Sequence, residues 1–202
     1  GYIYADNAAT TKMSRHAAEV MLGVIENNYA NPSSLHTPGQ LAAVQLAESR
    51  QAIAEILNCE PREIIFTGGG SEADNQALLS AAAIGQRKGK KHIISTKFEH
   101  HAVLHTLQKL EKQGFEVTYL DVHENGIVRP EDVKAAIRPD TVLVSVMYAN
   151  NEIGTIQPIR AIGALCREQG VLFHTDAVQA VGHLPIDVQA DNIDMLSLSG
   201  HK

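Results

Sequence analysis

Two patterns of apolar residues alternate along the chain. The first is helical spacing: from Ser14, a plausible N-cap, Ala17, Val20, Met21, Val24 and Ile25 recur every three or four residues until Asn27-Asn28. Residues 40–57, with Leu41, Val44, Ile53, Ile56 and Leu57 on or near one face, residues 72–83, 101–113, 130–138 and 159–169 repeat it. The second is a short apolar run without period-two alternation, at Ile64–Thr67, His92–Thr96, Phe115–Leu120, Thr141–Tyr148, Val171–His174 and Asn192–Leu198. Such runs predict strands buried on both faces, and their alternation with helices predicts a three-layer α/β/α architecture around a mostly parallel central sheet. NPSSLHTPG, residues 31–39, reads as a loop. Residues 1–14 read as an arm that packs onto something else, and 15–202 as one α/β domain.

Composition narrows the function classes. At 202 residues the chain can bury a sizeable core, and 44% hydrophobic with 20% charged residues is ordinary for a globular protein. A net charge of -6 carries no nucleic-acid signature, and the one basic cluster, Arg87-Lys88-Gly89-Lys90-Lys91, reads as a solvated loop rather than a membrane-surface patch. Cys59 and Cys166 form neither a CxxC nor a zinc-knuckle spacing, so no disulfide framework or thiolate metal site is expected. With no long apolar span or signal-peptide pattern, the expected compartment is the cytoplasm.

Ligands of open α/β sheets bind beyond the carboxyl ends of the strands, and four such ends carry unusual residues. FTGGGSEADN, residues 66–75, lets backbone approach an anion at a helix start, with the Ser71 hydroxyl as an added donor; it reads equally as a tight turn with Ser71 as N-cap. Asn150-Asn151 suits a phenolic oxygen or a carboxylate, or a turn. Asp176 closes a buried run, where a carboxylate calls for a cation or a protonated ring nitrogen, and Gln179 falls in the next turn. Lys202 follows the last run, preceded by Ser199 and His201. Phosphate donors, an acid, amide donors and an amine are together what pyridoxal 5'-phosphate requires. His100 opens a helix and suits stacking on an aromatic ring. His101 and His105 share a helix face, but the order is not HExxH and no metal site is expected.

DNAATT, NPSSLH, FTGGGSEADN, EHHAVL, ANNEIGTIQP, HTDAVQ and SGHK, in that order, make the chain resemble the cysteine desulfurases of the nitrogen-fixation and iron-sulfur-cluster type, which belong to the fold-type I pyridoxal phosphate enzymes. The resemblance covers essentially the whole chain. It implies Lys202 as the Schiff-base lysine, His100 stacked on the cofactor, Asp176 at the pyridine nitrogen and Gln179 at the ring hydroxyl. It implies Gly70, Ser71, Ser199 and His201 at the phosphate and Asn151 beside cofactor and substrate carboxylate. It further implies L-cysteine as substrate, a homodimer, and a sulfur acceptor or scaffold protein as partner. The Gly70-Ser71 pair departs from the Ala-Thr of many relatives but keeps the hydroxyl. The family's persulfide-forming cysteine lies beyond the lysine, in a segment that includes the small domain, so this chain reads as the cofactor-binding large domain with its N-terminal arm. Selenocysteine lyase, a related aminotransferase or lyase, and a non-catalytic module of the same fold are the alternatives.

Overall fold

The computed structural model describes residues 1–202 and divides the chain into two compact units, Gly1–Phe66 with His201, and Thr67–Gly200 with Lys202. The first carries α1 (Arg15–Asn27), α2 (Thr37–Leu57) and a 3-10 turn at Pro61–Glu63. Ser14 caps α1 as expected, its hydroxyl accepting from the Ala17 N–H. The start of α2 corrects the loop reading of residues 31–39. Thr37, Pro38 and Gly39 already belong to the helix, because the His36 ring accepts from the Gly39 N–H and proline fits a first helical turn. Its buried positions are Gly39, Ala42, Ala54 and Leu57, whereas Leu41, Val44 and Ile56 are exposed.

A second correction concerns Ile64–Thr67, expected as a buried strand. No strand forms there: Ile65 and Phe66 are exposed, and the Arg50 guanidinium lies 5.1 Å from the Phe66 ring centre. An apolar run becomes a strand only when a neighbour supplies ladder partners, and no strand of the chain runs beside this one.

The second unit is the α/β domain. Its strands are β1 (His92–Thr96), β2 (Glu116–Leu120), β3 (Thr141–Ser145), β4 (Leu172–Asp176) and β5 (Met195–Ser197). They form a wholly parallel sheet in the order β2-β1-β3-β4-β5. Helices α3 (Gly70–Arg87), α4 (His101–Lys112), α5 (Pro130–Ala136) and α6 (Ile159–Gln169) cover it. The connection through α4 runs from β1 outward to β2, and those through α5 and α6 run the other way. Right-handed crossovers therefore put α4 on one face and α5 and α6 on the opposite one. Leu78, Ala81 and Ala82 of α3 and Val103, Leu107 and Leu110 of α4 bury Ile93 and Leu143 of the central strands. Every residue of β1 and β3 is buried, which explains why their sequences are apolar without alternation.

Candidate active site

The direction of winding reverses between β1 and β3, and the register brings Thr96, Ser145, Asp176 and Ser197 to the same carboxyl rim. Two side chains join the strand ends at the switch point. Glu99, 5% exposed, accepts through Oε1 from the Thr96 hydroxyl (2.7 Å) and the Met147 N–H (3.0 Å). Asn150 donates from Nδ2 to the Phe98 carbonyl (3.1 Å), while its Oδ1 accepts from the N–H groups of Glu152 and Ile153. Asn150 is thereby committed to the backbone. Of the two adjacent asparagines, Asn151 is the one whose side chain is left for a ligand.

His100 follows Glu99 directly and caps α4, its Nδ1 accepting from the Ala102 N–H (3.1 Å). The cap fixes the imidazole at the rim. The His101 and His105 rings stack with centres 5.6 Å apart, and no third metal-ligating group joins them.

The start of α3 differs from the capping reading. Gly69 is the N-cap and Ser71 lies inside the first turn. The first helical bond is donated by Ala73 to the Gly69 carbonyl, so the N–H groups of Gly70, Ser71 and Glu72 have no helical acceptor and stand with the Ser71 hydroxyl at the positive end of the helix dipole. The Gly68 N–H is already taken by the Glu72 carboxylate (2.6 Å). A Cβ on Gly70 would come 2.9 Å from Val178 Cγ2 and 3.8 Å from Ser199 Cβ, so Ser199 of SGHK closes on this same helix start.

Asp176 ends β4 with 5% exposure. Burial pushes its carboxyl up. The Val178 N–H (3.0 Å), the field of His100, a hydrogen bond with Asp74 and the field of Lys202 pull it back. His100 and Lys202 thus both act on Asp176 electrostatically. Gln179 sits in the half-buried turn that follows. His201 belongs to the first unit, where its carbonyl accepts from the Thr11 N–H (2.9 Å) and its Nδ1 lies 3.0 Å from the Thr10 hydroxyl.

Sequence reasoning missed the groups behind these. Asp74 is 1% exposed and its carboxyl is pushed up to about 8, first by burial and then by Asp176. Glu99 is likewise raised to about 8 by burial. His174, wholly buried between Ser145 Oγ (2.8 Å) and Ser197 Oγ (3.0 Å), is lowered to about 4 by burial alone. Its Nε2 is 3.6 Å from Asp74 Oδ1, yet desolvation makes both groups neutral and the contact is no ion pair. A signal for Asp74 did exist: it continues the buried stripe of Leu78, Ala81, Ala82 and Gly85 at helical spacing, an acid where the pattern asks for an apolar residue.

The site fits a phosphate-bearing pyridine aldehyde. Free N–H groups at a helix start suit the phosphate, a buried acid suits a cationic ring nitrogen, and a lysine stands within its field. Comparison with known proteins gives the family. The model of the family described as Aminotransferase class-V matches residues 3–202. Cysteine desulfurase IscS of Clostridium botulinum (strain Kyoto / Type A2) is 54% identical over 99% of this chain, and that of Methanosarcina thermophila 52% over 99%. The chain spans about half the length of these relatives, 50% and 49%. A solved structure described as SspA in complex with cysteine superposes with a TM-score of 0.93 at 42% identity, covering 98% of this chain and 57% of that one. DndA from Streptomyces lividans superposes at 0.87 and 39% identity, covering 100% and 56%. The strand-end motifs, the doubly wound sheet that gathers them and these matches place the chain in the class-V aminotransferase family, with its similarity to the IscS proteins spanning about half their length.

Proposed function

We propose that the intact protein is a pyridoxal 5'-phosphate-dependent cysteine desulfurase, passing the sulfur of L-cysteine to a protein persulfide and leaving L-alanine. The observation that carries this reading is the shared field of Asp176, His100 and Lys202 at the switch-point rim. The cysteine bound to the structural neighbour SspA supports the substrate class.

Gly70, Ser71 and Ser199 would hold the phosphate, joined by His201 from the same SGHK motif. Asp176 would keep the ring nitrogen protonated, Gln179 would hydrogen-bond the ring oxygen and His100 would cover the ring. When bound, the cofactor supplies an electron sink for negative charge at the substrate Cα. Lys202 would attach the cofactor through Nζ and, once released, carry the Cα proton. Asn151 would orient the substrate carboxylate.

Neither cysteine of this chain suits the sulfur-accepting thiolate. Cys166 is fully buried with its thiol pushed up to about 12 by burial and Asp194, and Cys59 is raised by burial, Glu63 and Glu60. Such thiols stay protonated, whereas a nucleophile needs a lowered pKa. The persulfide carrier would therefore lie in the half of the relatives' length that this chain does not span, as would the small domain with which residues 1–14 would pack. A homodimer, a sulfur acceptor or scaffold partner and a cytoplasmic location complete the proposal; no helix is long and apolar enough to cross a membrane.

The test supplies the intact protein with L-cysteine and follows alanine, sulfide and cofactor absorbance. Lys202→Ala is expected to abolish the absorbance band of covalently held cofactor and to cut alanine formation by about a thousandfold. An unchanged band in Lys202→Ala, or no alanine from the unaltered protein, overturns the reading.

A further inference from the structure

Asp74 lies on α3, one turn beyond the free N–H groups of Gly70 and Ser71, and its carboxyl is in hydrogen-bond contact with Asp176 and Ser197. Two buried carboxyl groups in contact share a proton, and the surroundings decide which one keeps it. Asp176 receives the Val178 N–H at 3.0 Å and stands in the field of His100 and Lys202. Asp74 has only the Ser197 hydroxyl. Its Oδ1 has no hydrogen-bond partner, and His174 Nε2 stands off at 3.6 Å.

The chain of groups that crosses β3, β4, β5 and α3 accommodates an order of protons that ends on Asp176. The Ser145 hydroxyl donates to His174 Nδ1, and His174 Nε2–H donates to Ser197 Oγ. The Ser197 hydroxyl then donates to Asp74, whose O–H donates to Asp176. With His174 neutral, its two ring nitrogens need one donor and one acceptor, and the two serines supply them. The chain ends on Asp176 as acceptor.

We propose that Asp74 is a positioning residue for the ring-nitrogen acid: it enters the site as a neutral carboxylic acid, donates to Asp176, and leaves the pair with a single negative charge on Asp176. Because Asp74 rides on the helix whose N-terminus would bind the phosphate, the phosphate cup and the ring acid form one mechanical unit. The inference rests on the pyridoxal phosphate reading, but the pair itself can be measured without cofactor.

Infrared difference spectra of the cofactor-free intact protein at neutral pH should show the carbonyl stretch of a neutral carboxylic acid that shifts in heavy water and is lost in Asp74→Asn but retained in Glu99→Gln. With cofactor, Asp74→Asn keeps a donor toward Asp176 and should bind pyridoxal phosphate within about threefold of the unaltered protein. Asp74→Leu removes the donor, so Asp176 holds its proton more tightly. The affinity should then fall at least about tenfold, and the acid limb of binding should move up by about one pH unit. If Asp74→Asn removes no neutral-acid band, or if the leucine variant binds cofactor with the unaltered affinity and pH profile, the inference is wrong. Should Asp74→Leu fail to fold, the infrared comparison with Asp74→Asn still decides. Failure of every form to take up cofactor would sink the functional reading while leaving the infrared result to judge the carboxyl pair.

Discussion

Glu99 shows how a residue can serve the site and cost stability together. Its Oε1 ties β1 to β3 at the switch point while its buried Oε2 has no partner, and burial raises the carboxyl to about 8. An acid raised in the folded state binds its proton more tightly there than in the unfolded chain. Its contribution to stability is therefore fully present below the ordinary carboxylate range and is lost as pH rises from about 4.5 through about 8. Asp74, also raised to about 8, adds a slope of the same sign. Glu99→Gln keeps an oxygen to accept from Thr96 and Met147 but cannot ionise. It should match the unaltered protein at pH 4 and exceed it above pH 8 by a few kcal/mol, with a shallower slope between, as read from urea midpoints across that range. Parallel pH curves for the two proteins would refute this. The contrast with Asp176 explains what was legible. Asp176, His100 and Lys202 announce themselves by standing just past apolar runs, where the fold class says ligands bind. Glu99 stands equally close to a strand end, but its role depends on the Met147 N–H, 48 positions later and just past β3, which no local pattern encodes.

At the scale of elements, two helical glycines that look alike in sequence should respond oppositely to an added methyl. In α3, a Cβ on Gly70 meets only a methyl of Val178 at 2.9 Å, and a small rotation relieves it. Alanine is the better helix former by about 1 kcal/mol, so Gly70→Ala should change stability by less than about 1 kcal/mol. In α6, a Cβ on Gly163 would overlap the Asp191 carbonyl oxygen, which is backbone and cannot turn aside. Gly163→Ala should cost about 2 kcal/mol or more, visible as a clear fall in thermal midpoint, and a neutral result would mean that the segment before β5 is not seated on α6. The same dependence on distant backbone limits sequence reading of elements. Helices α4 and α6 and strand β1 follow their patterns to within a residue, because the helices carry their own periodicity and β1 is one continuous buried run. The start of α2 was hidden behind Thr37-Pro38-Gly39, which punctuates like a loop. Yet Gly39 packs so tightly on Ser34 that a Cβ would come 2.5 Å from its carbonyl, and only the folded chain shows that helix and loop meet there.

For the molecule as a whole, alternation of helix and strand was enough to foresee a covered parallel sheet, since each crossover dictates the next layer. What alternation does not encode is how unevenly the apolar residues are buried. In the unit Thr67–Gly200, β1, β3 and most of β4 are fully enclosed, with Ile93, Ile94, Leu143, Val144 and Phe173 inaccessible. In the unit Gly1–Phe66, α1 has no buried residue, and Val20, Met21, Leu22 and Ile25 are each at least half exposed. A helix of 13 residues with no packed face is marginal in water, because propagation alone barely offsets nucleation. Hydrogen exchange of the 202-residue chain should therefore separate two populations. Amides of β1, β3 and β4 should exchange only through global unfolding, while those of α1 should exchange within an order of magnitude or so of unstructured rates. Protection of α1 equal to that of β3 would show that its apolar residues are covered in solution, by self-association if the protection rises with protein concentration. With two populations, Asp176 and the start of α3 lie in the protected unit, and the arm with DNAATT in the exchanging one. Such a division suits a site whose acid and phosphate cup must hold still.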